Sequence, residues 1–106
     1  MTLVIDAPHR RITLDEVRAH RDEIYEIAER HGVSNIRVFG SVARGEADDD
    51  SDLDLLIDVA RGHGFFAMSA FALDVEELLN VFTQVVTPNG LKERIRDEVL
   101  SEAVPV

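Results

Sequence analysis

At 106 residues the chain has room for one modest core and excludes a second domain. A 45% hydrophobic share excludes intrinsic disorder, and a formal charge of -10, from 11 Lys plus Arg against 21 Asp plus Glu, argues against direct nucleic-acid binding. The absence of Cys rules out disulfides, thiolate zinc sites and Cys nucleophiles. No segment nears the roughly 18 apolar residues of a membrane span, and Met1 to Asp6 is too short and uncharged for a signal peptide, so the expectation is a cytoplasmic protein with no membrane partner.

Residues 1–12 show no clear period and read as an N-terminal lead-in, with the folded domain over 13–106. Thr13 with Glu16 makes an S/T-x-x-E capping box. Leu14, Val17, Ile24, Ile27 and Ala28 then recur at helical spacing up to Gly32, which predicts one amphipathic helix of about 18 residues. From Ser34 the period changes to two, placing Ile36 and Val38 on one face of a strand that ends at Gly40. Ser41 to Arg44 is long enough only for a short helical turn before Gly45. Asp52 to Val59 is a second strand, with Leu53, Leu55, Ile57 and Val59 on one face and Asp52, Asp54, Leu56 and Asp58 on the other. Phe65, Met68, Ala72, Val75 and Leu79 predict a second helix ending near Asn80, with the Phe65, Phe66, Met68, Phe71 cluster assigned to core packing. Val81 to Val86 has the β-branched character of a third strand. Thr87-Pro88 then offers an N-cap and first-turn proline for a last helix carrying Leu91, Ile95 and Val99, with Pro105 beyond its end. The order predicts an α/β (α+β) fold, a short mixed sheet flanked by helices.

The acidic stretch between Glu46 and Asp58 holds seven carboxylates and no base. An EF-hand fails there: counted from Asp48, the glycine and glutamate positions fall on Leu53 and Val59. No Walker A or G-x-G-x-x-G motif occurs, and the four His residues are too scattered to suggest a metal pair. What remains is Gly40-Ser41, ten residues, then Asp52-x-Asp54. Two same-face carboxylates on a strand suit a hard divalent cation that also binds substrate phosphates. A Gly-Ser turn offers backbone N–H groups and a hydroxyl to such a phosphate, and Arg44 can add a guanidinium.

The run F-G-S-V-A-R-G followed by S-D-L-D-L resembles the G-S-x-A-R-G … S-D-x-D-L signature of the polymerase-beta-like nucleotidyltransferase superfamily. The chain size and the ending V-V-T-P-N-G-L-K … E-A-V-P-V resemble its minimal nucleotidyltransferase (MNT) family, over roughly residues 13–106. The resemblance implies transfer of a nucleoside monophosphate, AMP from ATP, to a protein acceptor. It implies that Gly40, Ser41 and Arg44 bind the nucleotide and that Asp52 and Asp54 are catalytic, holding two Mg2+ ions. Members are often paired with a HEPN-domain toxin and act as antitoxins, some by adenylylating a toxin tyrosine, so a HEPN partner and a homo- or hetero-oligomer are expected. One departure stands out. Gln84, in Thr83-Gln84-Val85-Val86-Thr87, occupies the position of the superfamily's third carboxylate, and an amide supplies no charge and takes no proton. Two readings follow: a working adenylyltransferase, or a catalytically weakened domain that neutralises its HEPN partner by binding. Asp58, about 13 Å beyond Asp54 by strand rise, is a distant substitute.

Overall fold

The computed structural model describes residues 10–106; residues 1–9, most of the expected lead-in, lie outside the described residues. The elements are α1 (Leu14–Ala19), α2 (Arg21–His31), β1 (Val33–Phe39), α3 (Gly40–Arg44), β2 (Leu53–Val59), α4 (Phe65–Leu79), β3 (Thr83–Val86), α5 (Glu93–Glu102) and β4 (Val104–Pro105). The four strands form one mixed sheet in the order β3-β2-β1-β4. β1 runs antiparallel to both β2 and β4, while β2 and β3 are parallel. The expected short mixed sheet with flanking helices is present.

Thr13 caps α1 as its sequence requires, its Oγ1 accepting from the Glu16 amide at 3.1 Å. The single long helix expected here is two, broken at His20, whose backbone leaves the helical region (φ -101°, ψ 19°). The cause is visible in the pattern: the apolar stripe lapses between Val17 and Ile24, where exposed Arg18, Ala19 and Arg21 bring no large apolar side chain to bury. Ile12 is also buried in the core, so the packed unit begins inside the stretch assigned to the lead-in. Arg10 fixes that beginning. Its guanidinium grips Glu16 through both Nη atoms and donates to the Leu79 and Asn80 carbonyls at the end of α4.

The core is built from inward positions of α2, β1, β2 and α4: Ile24, Ile27, Ile36, Val38, Leu53, Leu55, Ile57, Phe71, Val75 and Leu79. These agree with the periods read from the sequence, with three exceptions. Phe65 and Phe66, expected in the core, are 74% and 88% exposed, and Phe71 takes the buried place. The β1–β2 ladder is irregular between Ser34 and Arg37, where three steps on β1 answer two on β2. Asn35 absorbs the extra residue in a left-handed conformation (φ 51°) that Asn tolerates well, and its Nδ2 donates to Asp58 Oδ2 at 3.0 Å. Finally, Thr87-Pro88 opens only a 3-10 turn (Pro88–Gly90), and α5 starts at Glu93 after an extended Leu91-Lys92, leaving Ile95 exposed.

Beyond α5 the chain returns to the sheet. Arg37 and Val38 pair with Pro105 and Val104, and the Val106 amide donates to the Ile36 carbonyl at 3.1 Å. Arg18 and Arg21 clamp this last segment by donating to the Pro105 and Val106 carbonyls. The C-terminal end of α5 is thereby held beside the end of β1, where α3 begins.

Candidate active site

The register of two strand pairs assembles the site. Phe39, the last residue of β1, lies opposite Asp54 on β2, and Asp54 lies beside Gln84 on β3. At the end of β1 the chain turns sharply into α3 through Gly40, in a left-handed conformation with φ 75°. That turn brings the backbone against the acidic strand: a Cβ at residue 40 would meet Asp54 Oδ2 at 2.5 Å. Only glycine satisfies both demands. α3 spans Gly40 to Arg44 as the sequence suggests and stops at Gly45, also left-handed. Its buried residue, Val42, anchors the short helix to the core and leaves Arg44 outward.

Among the residues singled out from sequence, Gln84 Nε2 donates to Asp52 Oδ2 at 3.2 Å, the Asp54 carboxylate fills the space a side chain at residue 40 would need, and the charge of Arg44 favours the ionised form of Asp54. Ser41 follows Gly40 in the first turn of α3 and is half-buried. Gln84 stands next to Asp54 in the parallel ladder. Asp58 does not stand in for a third carboxylate, being engaged at the far end of β2 by Arg37 Nη2 at 3.2 Å and by Asn35.

The electrostatics are those of crowded carboxylates. Burial pushes the Asp54 carboxyl up to about 6, and the neighbouring Asp52 charge pushes the same way. Arg44 opposes the shift, while Glu102 adds to it. Asp52 and Asp54 offer hard oxygen donors of the kind a divalent cation takes. Among the described residues no group of three or more His, Asp or Glu is placed to complete a cage.

Sequence reasoning missed one member of the cluster. Glu102, the last residue of α5, reaches across to α3, where Oε1 accepts from the Gly40 amide at 2.8 Å and Oε2 from Arg44 Nη1 at 3.1 Å. Arg44 is shared with Glu46 through Nε at 3.0 Å, and these carboxylates, Glu102 first, raise the guanidinium pKa above its ordinary value. A signal did exist. A carboxylate in the last turn of a helix faces the negative end of the dipole and calls for a cation or an N–H donor elsewhere. A cleft of about 380 Å3 opens beside α3, lined by Arg11, Leu14, Val42, Ala43, Arg44 and Ala47, and meets this cluster at Arg44.

Comparison with known proteins follows the same lines. The sequence profile described as "nucleotidyltransferase domain" matches residues 17–106. The protein adenylyltransferase MntA of Thermococcus cleftensis is 37% identical over 99 residues, covering 90% of this chain and 97% of that protein. A solved structure assigned as a minimal nucleotidyltransferase superposes with a TM-score of 0.79 at 43% identity, over 90% of this chain and 97% of that one. The MNT antitoxin complexed with the tri-AMPylated HEPN toxin of Shewanella oneidensis shares the fold, with a TM-score of 0.62 at 14% identity over 83% of this chain and 69% of that one.

Proposed function

This chain belongs to the nucleotidyltransferase domain family, among its minimal members, and we propose that it is a magnesium-dependent protein adenylyltransferase acting as the antitoxin of a HEPN-domain partner. The observation that carries the reading is the close approach of the Gly40 turn to the Asp54 carboxylate, which supports a phosphate held by that turn beside the carboxylate pair. A 37% identical relative bears the name protein adenylyltransferase, and a fold neighbour is an MNT antitoxin held with an AMPylated HEPN toxin.

In this reading Asp52 and Asp54 hold Mg2+ through carboxylate oxygens, and the all-oxygen donor set fits that ion. When bound, the ions supply positive charge that acidifies the acceptor hydroxyl and neutralises the departing pyrophosphate. The Gly40 amide, Ser41 and the Arg44 guanidinium bind the triphosphate of ATP and hold the α-phosphorus in line with the acceptor. The acceptor oxygen, its proton released to solvent, bonds to that phosphorus as the bond to the pyrophosphate oxygen breaks, leaving AMP on a side chain of the partner. The raised pKa of Asp54 supports such a site: a carboxylate whose charge is costly in the bare protein gains most from a cation.

Gln84 favours a second reading, a domain that keeps the fold but neutralises its partner by binding, because two carboxylates hold a second ion less firmly than three. Incubation with labelled ATP, Mg2+ and a HEPN-domain partner protein separates the two. Label transfer that is lost in Asp52→Asn and Asp54→Asn supports the enzyme. Full protection of cells by Asp52→Asn without label transfer leaves the binding role.

A further inference from the structure

We propose that Glu102 is a built-in competitor for the nucleotide: its carboxylate occupies the donors of the phosphate cradle, and ATP binds by displacing it. The inference rests on the nucleotide-binding reading above and adds to it the residue that sets how tightly the nucleotide is held.

Glu102 Oε1 takes the hydrogen of the Gly40 amide at 2.8 Å, and both carboxylate oxygens lie within 3.3 Å of Arg44 Nη1. These are the groups the reading assigns to the triphosphate. A backbone amide has one hydrogen, so a phosphate oxygen and Glu102 cannot both accept it at this length. A charged carboxylate is also a fair stand-in for a phosphate oxygen: planar, anionic, and matched to an amide plus a guanidinium.

The placement is built rather than incidental. Glu102 ends α5, the next residue bonds back to the helix (Ala103 amide to Val99 carbonyl, 2.9 Å), and the chain then pairs with β1 and is clamped by Arg18 and Arg21. Its Cα is thus held at the mouth of the cradle, and only the side chain has to turn away. Glu46 shares Arg44 but does not reach the Gly40 amide, which separates a specific competitor from a general excess of negative charge.

The test is calorimetric titration of the full chain with ATP and Mg2+, and separately with inorganic tripolyphosphate, well below the melting midpoint of each variant. Glu102→Gln and Glu102→Ala are expected to tighten both ligands by about fivefold to tenfold, while Glu46→Gln changes them less than about twofold. The Gly40 amide resonance should move in both Glu102 variants before any ligand is added. Wild-type affinity, or weaker, in a folded Glu102→Gln overturns the competitor. So does an equal gain in Glu46→Gln, which would assign the effect to net charge. If neither wild type nor Glu102→Gln binds ATP or tripolyphosphate, the nucleotide-binding reading itself falls and takes this inference with it.

Discussion

Gly40 and Asp54 are placed so that no side chain at residue 40 is compatible with the carboxylate as it stands, since the first carbon would come within 2.5 Å of Oδ2. The backbone adds its own demand, because φ at residue 40 is 75°. Gly40→Ala therefore incurs about 1–2 kcal/mol of left-handed strain and also moves Asp54. The expected result is a lower urea midpoint together with at least a hundredfold loss of nucleotidyl transfer. Preserved transfer in a destabilised variant would detach the close approach from the chemistry.

The carboxyl of Asp54 carries a pH prediction with a definite sign. Its value in the fold, about 6, lies above the ordinary 3.8, so the folded state binds a proton that the unfolded chain has released between those values. Stability contributed by this group is full below about pH 4, falls as pH rises through about 6, and stays lost above. Asp54→Asn removes the penalty. It should raise the unfolding free energy at pH 8 by an amount on the order of 1 kcal/mol once solvent screening of a half-buried carboxylate is allowed for, lifting the melting temperature with it, and leave both unchanged below pH 4. Thermal melts of both proteins across that range decide it; a variant no more stable at pH 8 than wild type refutes the burial of charge.

The signature from Gly40 to Asp54 was legible in the sequence because it is local: a strand ending in Gly-Ser and a period-two run with aspartates on one face need only register to meet, and the inward residues of β1 and β2 fix that register. What was illegible depended on distance or on a weak pattern. Glu102 reaches Gly40 across 62 residues. β4 is two residues long and half of it is proline, so it carries no alternation to detect. The break at His20 and the bulge at Asn35 are settled by packing and by a side chain bonded to Asp58, neither of which leaves a turn motif such as Pro or Gly. Phe65 and Phe66 begin α4 in the right composition for core, yet both face solvent and Phe71 fills the interior.

Arg10 shows how much one residue at the edge of the fold can hold. It joins Glu16 of α1, lowering that carboxyl below its ordinary value chiefly through their hydrogen bond, and it caps the carbonyls of Leu79 and Asn80 at the end of α4. α4 has no basic residue of its own in its last turn, so this guanidinium supplies the missing cation from another segment. Arg10→Ala should cost about 1–2 kcal/mol in urea unfolding. Arg10→Lys should recover less than half, because an ammonium has no planar fork to serve a carboxylate and two carbonyls together. Equal stability of the Lys and Arg proteins would show that only the charge matters.

Gln84 lies beside Asp54 in the parallel ladder and donates to Asp52, so a carboxylate put there faces both. Gln84→Glu keeps the side-chain length and replaces a donor with a like charge. In metal-free buffer at pH 8 the variant should melt below wild type, because a third negative charge joins a pair that already holds Asp54 well above its ordinary value. Adding Mg2+ should reverse the order, since a ligand binding only the folded state stabilises by about 1.4 kcal/mol for each tenfold gain in affinity at saturating concentration. Under the enzymatic reading label transfer to the HEPN protein rises along with the Mg2+ response, and under the binding reading the melting curves change while protection of cells does not. A Gln84→Glu protein whose melting is as indifferent to Mg2+ as in an Asp52→Asn, Asp54→Asn double variant would remove the divalent cation from the account of this site.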